Sequence, residues 1–499
     1  MTTTNWHQQA NTAELNVQNI INGQESDCGG ANTLKKYAPH NGELLYQFGE
    51  GNSDTVNAAV TSAREAFNDG RWSDLSVAER KTVLLKLADL VEANTETFAL
   101  YESLDVGKPI TNALYNDVAS SVHALKESVA NIDHLQGFCG SDNGMLAFQL
   151  RKPVGVVAGI LGWNFPLSLA AAKVGPALIT GNSLILKPSE FTSLSTCLLA
   201  KLALEAGVPA GVFNVVHGAG ATVGDAIAHH NDIDLLSFVG SSATGKRLMT
   251  AAGASNMKRL ILECGGKSPY LIFDDCPSDL DAVAEDIVAT AFPNQGALCI
   301  AGTRLLIQDS IKDTLMPKII AAAKKITPAD PLNPDTTFGA LVNQAHMDKV
   351  LSYIQSGLEE GADLVCGGKQ VNQDSGGFYV EPTIFDKVDN QKHRIAREEI
   401  FGPVLSVITF KDEAQAIALA NDSCFGLSSY AATENLARIH RLGKALKAGS
   451  VNVMSASHSQ GGNVGGLSVE GHKQSGFGYE MGIAGLAAYT VSTVVCAFN

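Results

Sequence analysis

The chain has 499 residues, 45% hydrophobic and 17% charged, with a formal net charge of −15 at neutral pH. That length allows roughly three domains with cores of their own, and the composition excludes a disordered, collagenous or coiled-coil protein. The acidic balance disfavours attachment to nucleic acid or an anionic membrane, since both need basic patches.

In chain order, Met1–His7 lacks a basic stretch followed by an apolar core, so it reads as carrying no secretory signal. Nine cysteines, an odd number scattered over a long chain, form no disulfide framework and fit a reducing cytoplasm. Val17–Ile21 reads as a strand. Ser53–Phe67 and Val77–Leu100 carry helical periodicity, as does Ile110–His134. Met145–Arg151 is an isolated β-like segment that could pair with a tail strand, its own or another subunit's. The longest apolar stretch, Pro153 to Thr180, contains Asn164, Pro166 and Lys173. A lysine at its middle is costly in lipid, so it reads as a buried strand and a core helix.

From Val154 the pattern becomes α/β, with strands at 154–160, 183–186, 213–216 and 235–238. Helices at 167–178, 193–205, 223–229 and 244–252 alternate with them. Such alternation predicts a parallel, doubly wound sheet. It resumes from Arg259 to Phe410 as a second α/β unit, and Leu486–Ala497 reads as a closing strand.

Two glycine-rich loops compete for a phosphate. Gly218–Gly224 resembles a dinucleotide fingerprint with one residue too many, and is otherwise an ordinary turn. Gly240–Gly245 follows an apolar strand and opens a helix, so its amides and the helix dipole would face an anion, with the Ser241 hydroxyl as a further donor. Lys187 and Glu190, at a strand end, either bind ribose hydroxyls or stand as solvated charges. Glu263, followed within three residues by Gly265 and Gly266, could project a carboxylate into a cleft. Asn294-Gln-Gly-Ala-Leu-Cys299 places a thiol beside a glycine that permits close approach. A lone cysteine among apolar neighbours is, however, commonly a core residue. No Cys-x-x-Cys pair or zinc-spaced His cluster is present, which predicts no catalytic metal.

Six strings in order, Trp163-Asn-Phe-Pro166, Lys187-Pro-Ser-Glu190, Phe238-Val-Gly-Ser241, Leu262–Ser268, Asn294–Cys299 and Glu398–Pro403, resemble the aldehyde dehydrogenase superfamily. The likeness runs from about Val17 to Val495. It implies that Cys299 attacks an aldehyde carbonyl and that Asn164, with the Cys299 amide, holds the oxyanion. Glu263 would activate the water that hydrolyses the thioester. Lys173 would assist proton transfer. Lys187 and Glu190 would bind the adenosine ribose, Gly224 lie near the adenine, and Gly240 and Ser241 meet the pyrophosphate. Glu399 would bind the nicotinamide ribose, with Phe401 and Trp163 at the ring end. A carboxylate at Glu190 favours NAD over NADP, and Glu263 argues against release to coenzyme A.

Within the family, Ser255–Arg259 and Cys299–Arg304 look closest to bacterial γ-glutamyl-aminobutyraldehyde and related aminoaldehyde dehydrogenases. The substrate-facing positions depart from them. Ala172 stands where many relatives have Trp, and Ser455–Gly466 replaces an aromatic-bearing loop, followed by an altered Ser468–Gly471. These changes imply a wider entrance, suited to bulky or long-chain aldehydes, with an aminoaldehyde as the alternative. Tyr479 and Val491 replace a common Arg and Glu, and Pro293 before Asn294 is unusual. A non-catalytic protein on the same fold, or an esterase acting through the same cysteine, are the other readings; joint retention of Cys299, Glu263 and Asn164 weighs against the first.

The expected architecture is a Rossmann-type NAD-binding domain (1–134 and 152–262) and an α/β catalytic domain (263–454). A small β oligomerisation module (135–151 and 480–499) and an entrance loop and connection (455–479) complete it. Exposed strand edges predict a homodimer or homotetramer.

Overall fold

The strands Val156–Ile160 and Ser183–Lys187 are buried along their whole length on both faces. A parallel sheet between two helical layers requires this. In the computed structural model, which describes residues 4–30, 32–454 and 466–498, they form the centre of an eight-stranded sheet. Its parallel strands run in the order Phe213–Val215, Ser183–Lys187, Val156–Ile160, Leu235–Val239, Arg259–Glu263. Strand order reverses between Val156–Ile160 and Leu235–Val239. Open α/β sheets bind ligands outside the carboxyl ends at such a switch point.

Alternation decides what each face meets. Val156, Ala158 and Ile160 pack with Val56, Ala59, Val60 and Ala63 of helix Ser53–Asn68. Val157 joins the opposite core with residues of helices Val77–Ala93, Val118–Asn131, Pro166–Ile179 and Leu194–Ala206. A second sheet of seven strands spans Pro269–Met454, parallel except for its edge strand Asp363–Cys366. A third, of three strands, joins Cys139–Asp142, Met145–Pro153 and Thr490–Phe498. The two larger sheets and their flanking helices place the chain in the α/β class.

Three local expectations change. The helix expected over 77–100 is two, Val77–Ala93 and Thr95–Val106. Asn94 breaks it, at φ −102° and ψ 23°, with its side-chain amide donating to the Leu90 carbonyl beside its own backbone N–H. The tail expected as one strand from Leu486 begins as helix Gly482–Ala488 and becomes strand only at Thr490–Phe498. Its apolar residues Leu486 and Tyr489 serve the helical core instead. That strand pairs with Met145–Pro153 of the same chain, in register from Met145 opposite Phe498 to Pro153 opposite Thr490. Gly476–Phe477, within the segment read as a connection, adds an antiparallel edge to the eight-stranded sheet. The altered loop read over Ser455–Gly466 lies, for residues 455–465, outside the described residues. No helix among the described residues is long and apolar enough to cross a membrane.

Candidate active site

Helix Pro166–Ile179 starts directly after Asn164-Phe165 at the switch point. Gly159 makes room beneath it: a Cβ there would strike Leu186 at 2.5 Å and approach Lys173 at 3.6 Å. Asn164 is buried, and its Nδ2 donates to the Ala297 carbonyl at 3.0 Å. The Asn294 Nδ2 donates to the Asn164 carbonyl at 2.9 Å, so the two loops are tied together. A carboxamide has two N–H groups, and the second on Asn164 is not spent on this contact.

Cys299 sits in the loop before strand Arg304–Gln308 and is half-buried. Pro293 opens the preceding tight turn, where its fixed φ and missing N–H cost nothing. Asn294, Gln295 and Gly296 then take left-handed backbone at φ 48°, 58° and 74°. Two non-glycine residues there store of the order of 1–2 kcal/mol each. Burial pushes the Cys299 thiol up to about 12, and Glu263 and Glu399 push in the same direction. The resting thiol is therefore protonated.

Glu263 ends strand Arg259–Glu263, and its Oε1 is buried without a hydrogen-bond partner among the described residues. Burial raises its carboxyl to about 8; Glu480 raises it further and Lys173 opposes. The two glycines after it are needed for contact. A Cβ on Gly265 would meet the Glu399 carboxylate at 2.3 Å, and one on Gly266 the Cys299 carbonyl oxygen at 2.2 Å. Gly266 N–H donates to Glu399 Oε1 at 2.9 Å. Burial also raises the Glu399 carboxyl.

Phe401 has φ 61°, an uncommon conformation for an aromatic residue. Trp163 packs edge-on against it at 5.2 Å and against His346 at 4.9 Å. Burial lowers His346 to about 4, so the ring is neutral, and its Nε2–H donates to the Phe401 carbonyl at 2.8 Å. Gly296 touches this segment too, since a Cβ there would lie 2.3 Å from the Gly402 carbonyl oxygen. Cys299, Glu263, Asn164, Glu399, Phe401 and Trp163 thus belong to one cluster of abutting loops.

Lys173 contributes indirectly. Its buried ammonium is paired with Glu480, whose Oε1 also accepts from Ser237 Oγ at 3.2 Å. Glu480 and His346 were missed by the sequence reading. Neither lies in a recognisable string, and Glu480 is 307 residues from the lysine it pairs with.

Lys187, Glu190 and Gly224 gather at a second position along the same sheet edge. Lys187 is buried, donates to the Pro188 carbonyl at 3.0 Å and lies 3.4 Å from Glu190. Burial lowers its ammonium, and Glu190 pulls the other way. A Cβ on Gly224 would lie 3.9 Å from the Lys187 stem. Between the two groups, Gly240 and Ser241 open helix Ser242–Ala254. Gly240 is required because a Cβ would strike the Phe238 ring at 2.5 Å. Ser241 caps the helix by accepting from Thr244 N at 3.2 Å, so its oxygen is partly committed. The exposed helix N-terminus suits a pyrophosphate. A lysine–carboxylate pair on one side and an aromatic cluster on the other fit the two ends of a dinucleotide. Among the described residues no group of three or more His, Cys, Asp or Glu side chains is placed to hold a metal ion.

The family model described as aldehyde dehydrogenase family matches residues 27–495. The NADP/NAD-dependent aldehyde dehydrogenase PuuC of Escherichia coli is 43% identical over 97% of this chain and 96% of its own. An aminoacetaldehyde dehydrogenase of Pseudomonas aeruginosa is 41% identical over 94% and 93%. A crystal structure of an indole-3-acetaldehyde dehydrogenase complexed with NAD+ superposes with a TM-score of 0.96 at 45% identity, covering 99% of both chains.

Proposed function

The chain belongs to the aldehyde dehydrogenase family, and on that premise we propose that it oxidises an aldehyde to its carboxylic acid with NAD, through a thioester on Cys299. The observation that carries this reading is the convergence of a thiol, an unpartnered buried carboxylate and an amide donor in one cleft. Glu263 is placed to take the thiol proton, which the raised Cys299 requires before attack. Asn164 Nδ2 and the Cys299 amide stabilise the oxyanion of the thiohemiacetal. NAD, when bound, would supply the acceptor for the hydride whose loss from the adduct leaves a thioester on Cys299. Glu399, which accepts from the Gly266 amide, would hold the nicotinamide ribose, and Phe401, backed by His346 and Trp163, would line the ring site. After passing the thiol proton to solvent, Glu263 deprotonates a water that attacks the thioester carbonyl, and the Cys299 thiolate leaves as the acid is released. A base in this position supports hydrolysis over transfer to coenzyme A.

Glu190 accepts from the ribose hydroxyl and repels a 2′-phosphate, which supports NAD over NADP; rates with the two cofactors compare them directly. Cys299→Ala is expected to abolish NADH formation, and equal rates would overturn the mechanism. Glu263→Gln is expected to slow NADH formation, because the thiol loses its base, and to leave the enzyme that does react as the thioester; a wild-type rate would overturn both roles.

For the substrate, Ala172 borders a narrow pocket lined also by Glu127, Ser128, Asn131, Glu480 and Tyr489. The missing indole leaves space for a bulky or long-chain aldehyde. The two carboxylates favour a second reading, an aminoaldehyde whose ammonium they would attract, in line with the aminoacetaldehyde dehydrogenase of Pseudomonas aeruginosa. Comparing hexanal, a bulky aromatic aldehyde and 4-aminobutanal separates the two: a clear preference for 4-aminobutanal would sink the first. Nine unpaired cysteines support a reducing, cytoplasmic setting, and an assembly of two or four copies is part of the same proposal.

A further inference from the structure

The segment from Glu102 to Asp117 precedes every motif that carries the site, yet three of its ionisable side chains are buried together. Lys108 Nζ lies 2.7 Å from Asp117 Oδ2 and 3.7 Å from Glu102 Oε2. It also lies 4.1 Å from the centroid of the Phe165 ring, a cation–π contact in a desolvated setting. Glu102 Oε1 accepts from the Leu167 backbone N–H at 3.0 Å and from the Ser195 hydroxyl at 2.6 Å. Leu167 is in the first turn of helix Pro166–Ile179, so this carboxylate also meets the positive end of the helix dipole. Asp117 completes the cluster with its main chain, whose carbonyl accepts from Ser168 Oγ at 3.2 Å in the same first turn.

Buried ion clusters return little net stability compared with apolar packing, because each charge gives up its hydration. What this one fixes is position. Its contacts fall on Phe165, Leu167 and Ser168, immediately after Asn164. From the other side, Asn164 is held by Asn294 at 2.9 Å and by Ala297 at 3.0 Å. The residue is gripped between a charged cluster behind it and the nucleophile loop in front. We propose that Lys108 and Glu102 are positioning residues for Asn164. They clamp the Phe165 ring and the Leu167 amide so that the Asn164 carboxamide is presented to the reacting carbonyl at a fixed place and angle. This rests on the reading of Asn164 as the oxyanion donor.

A donor misplaced by about 1 Å forfeits roughly a hundredfold in rate. The test compares four proteins: wild type, Lys108→Met with Asp117→Asn (which removes the cation and one of its carboxylates together), Asn164→Ala, and all three substitutions combined. Steady-state NADH formation gives kcat and both KM values, and thermal unfolding checks that each protein is folded. The double substitution is expected to lower kcat about 10- to 100-fold, with KM for NAD within about threefold of wild type. In the Asn164→Ala background the same substitutions are expected to change kcat by less than about threefold, because the group they position is gone. An equal loss in both backgrounds, or a KM for NAD that rises in step, would overturn the proposal and leave a merely structural cluster. If Asn164→Ala itself keeps the wild-type rate, the oxyanion reading falls, a result distinct from additivity. Should the double substitution fail to fold, Glu102→Gln, which keeps the side-chain shape, takes its place in the comparison. Coupling to Asn164→Ala then supports the proposal and additivity overturns it.

Discussion

Glu263 illustrates how much of the chemistry depends on groups outside its own motif. Burial lifts its carboxyl to about 8, Glu480 adds to the rise and Lys173 moderates it. A group that must lose its proton to act as base gains activity as pH rises through that value. When hydrolysis limits turnover, kcat is therefore expected to climb through about pH 8. Glu480→Gln removes a like charge and leaves Lys173 unpaired beside Glu263, so both effects move the inflection to lower pH. Lys173→Met does the reverse, removing the cation and leaving Glu480 uncompensated. Shifts on the order of one pH unit in opposite directions are expected in kcat–pH profiles; unmoved profiles would show that the pair does not act on Glu263. Cys299 and Glu263 stand out in the sequence as candidates in short strings with a chemical reason, and the family resemblance adds Asn164 to them. Glu480 does not stand out, because its partner is set by the packing of a C-terminal segment against a helix 307 residues away. His346 left a fainter signal: it stands three residues after Asn343, which caps its helix through the His346 N–H.

At the scale of elements, the parallel strands were legible because they are short apolar runs separated by amphipathic helices. The break at Asn94 was not, since a continuous helical period carries no sign of one residue leaving the helical backbone at φ −102° and ψ 23°. Nor was the tail, because a short apolar run such as Leu486–Tyr489 suits a buried helix as well as a strand. The turn before Cys299 shows what an element must supply to a site. Gly296 combines φ 74° with a Cβ position 2.3 Å from the Gly402 carbonyl oxygen. Gly296→Ala would cost about 1–2 kcal/mol in backbone conformation alone, and the clash would push the Cys299 loop away from the Phe401 segment. A loss of about a hundredfold in kcat is expected. Gly253, in helix Ser242–Ala254, is the counterpart: a Cβ there meets nothing within 4 Å, and its φ is ordinary. Gly253→Ala is expected to stabilise the protein by about 0.5–1 kcal/mol with kcat unchanged. Urea unfolding and steady-state rates on the two variants check both expectations.

For the whole molecule, the three-stranded sheet bears most on assembly. Strand Thr490–Phe498 pairs along all nine residues with Met145–Pro153, and its other edge has no strand beside it among the described residues. An edge of that length invites pairing with another chain unless it is covered. The sheet also leaves apolar side chains in solvent on both faces, with Val494 66% and Phe498 76% exposed, and Leu146 and Leu150 near half. Both sheet faces and the free edge are suited to a symmetric pair, in which the same patch serves on each copy. Tyr479 and Val491, opposite Glu470 and Lys152 within this chain, bring no charge to tie such copies together. Apolar burial must then supply the contact, at about 25 cal/mol per Å² removed from water. Sedimentation velocity on the wild type is expected to give a dimer or tetramer at micromolar concentration. Val494→Arg with Phe498→Arg, two residues on one face of the ribbon, is expected to give a smaller species that still unfolds cooperatively. A wild-type monomer would refute the assembly, whereas an oligomer untouched by the two arginines would shift it to the opposite face, where Leu146 and Leu150 lie.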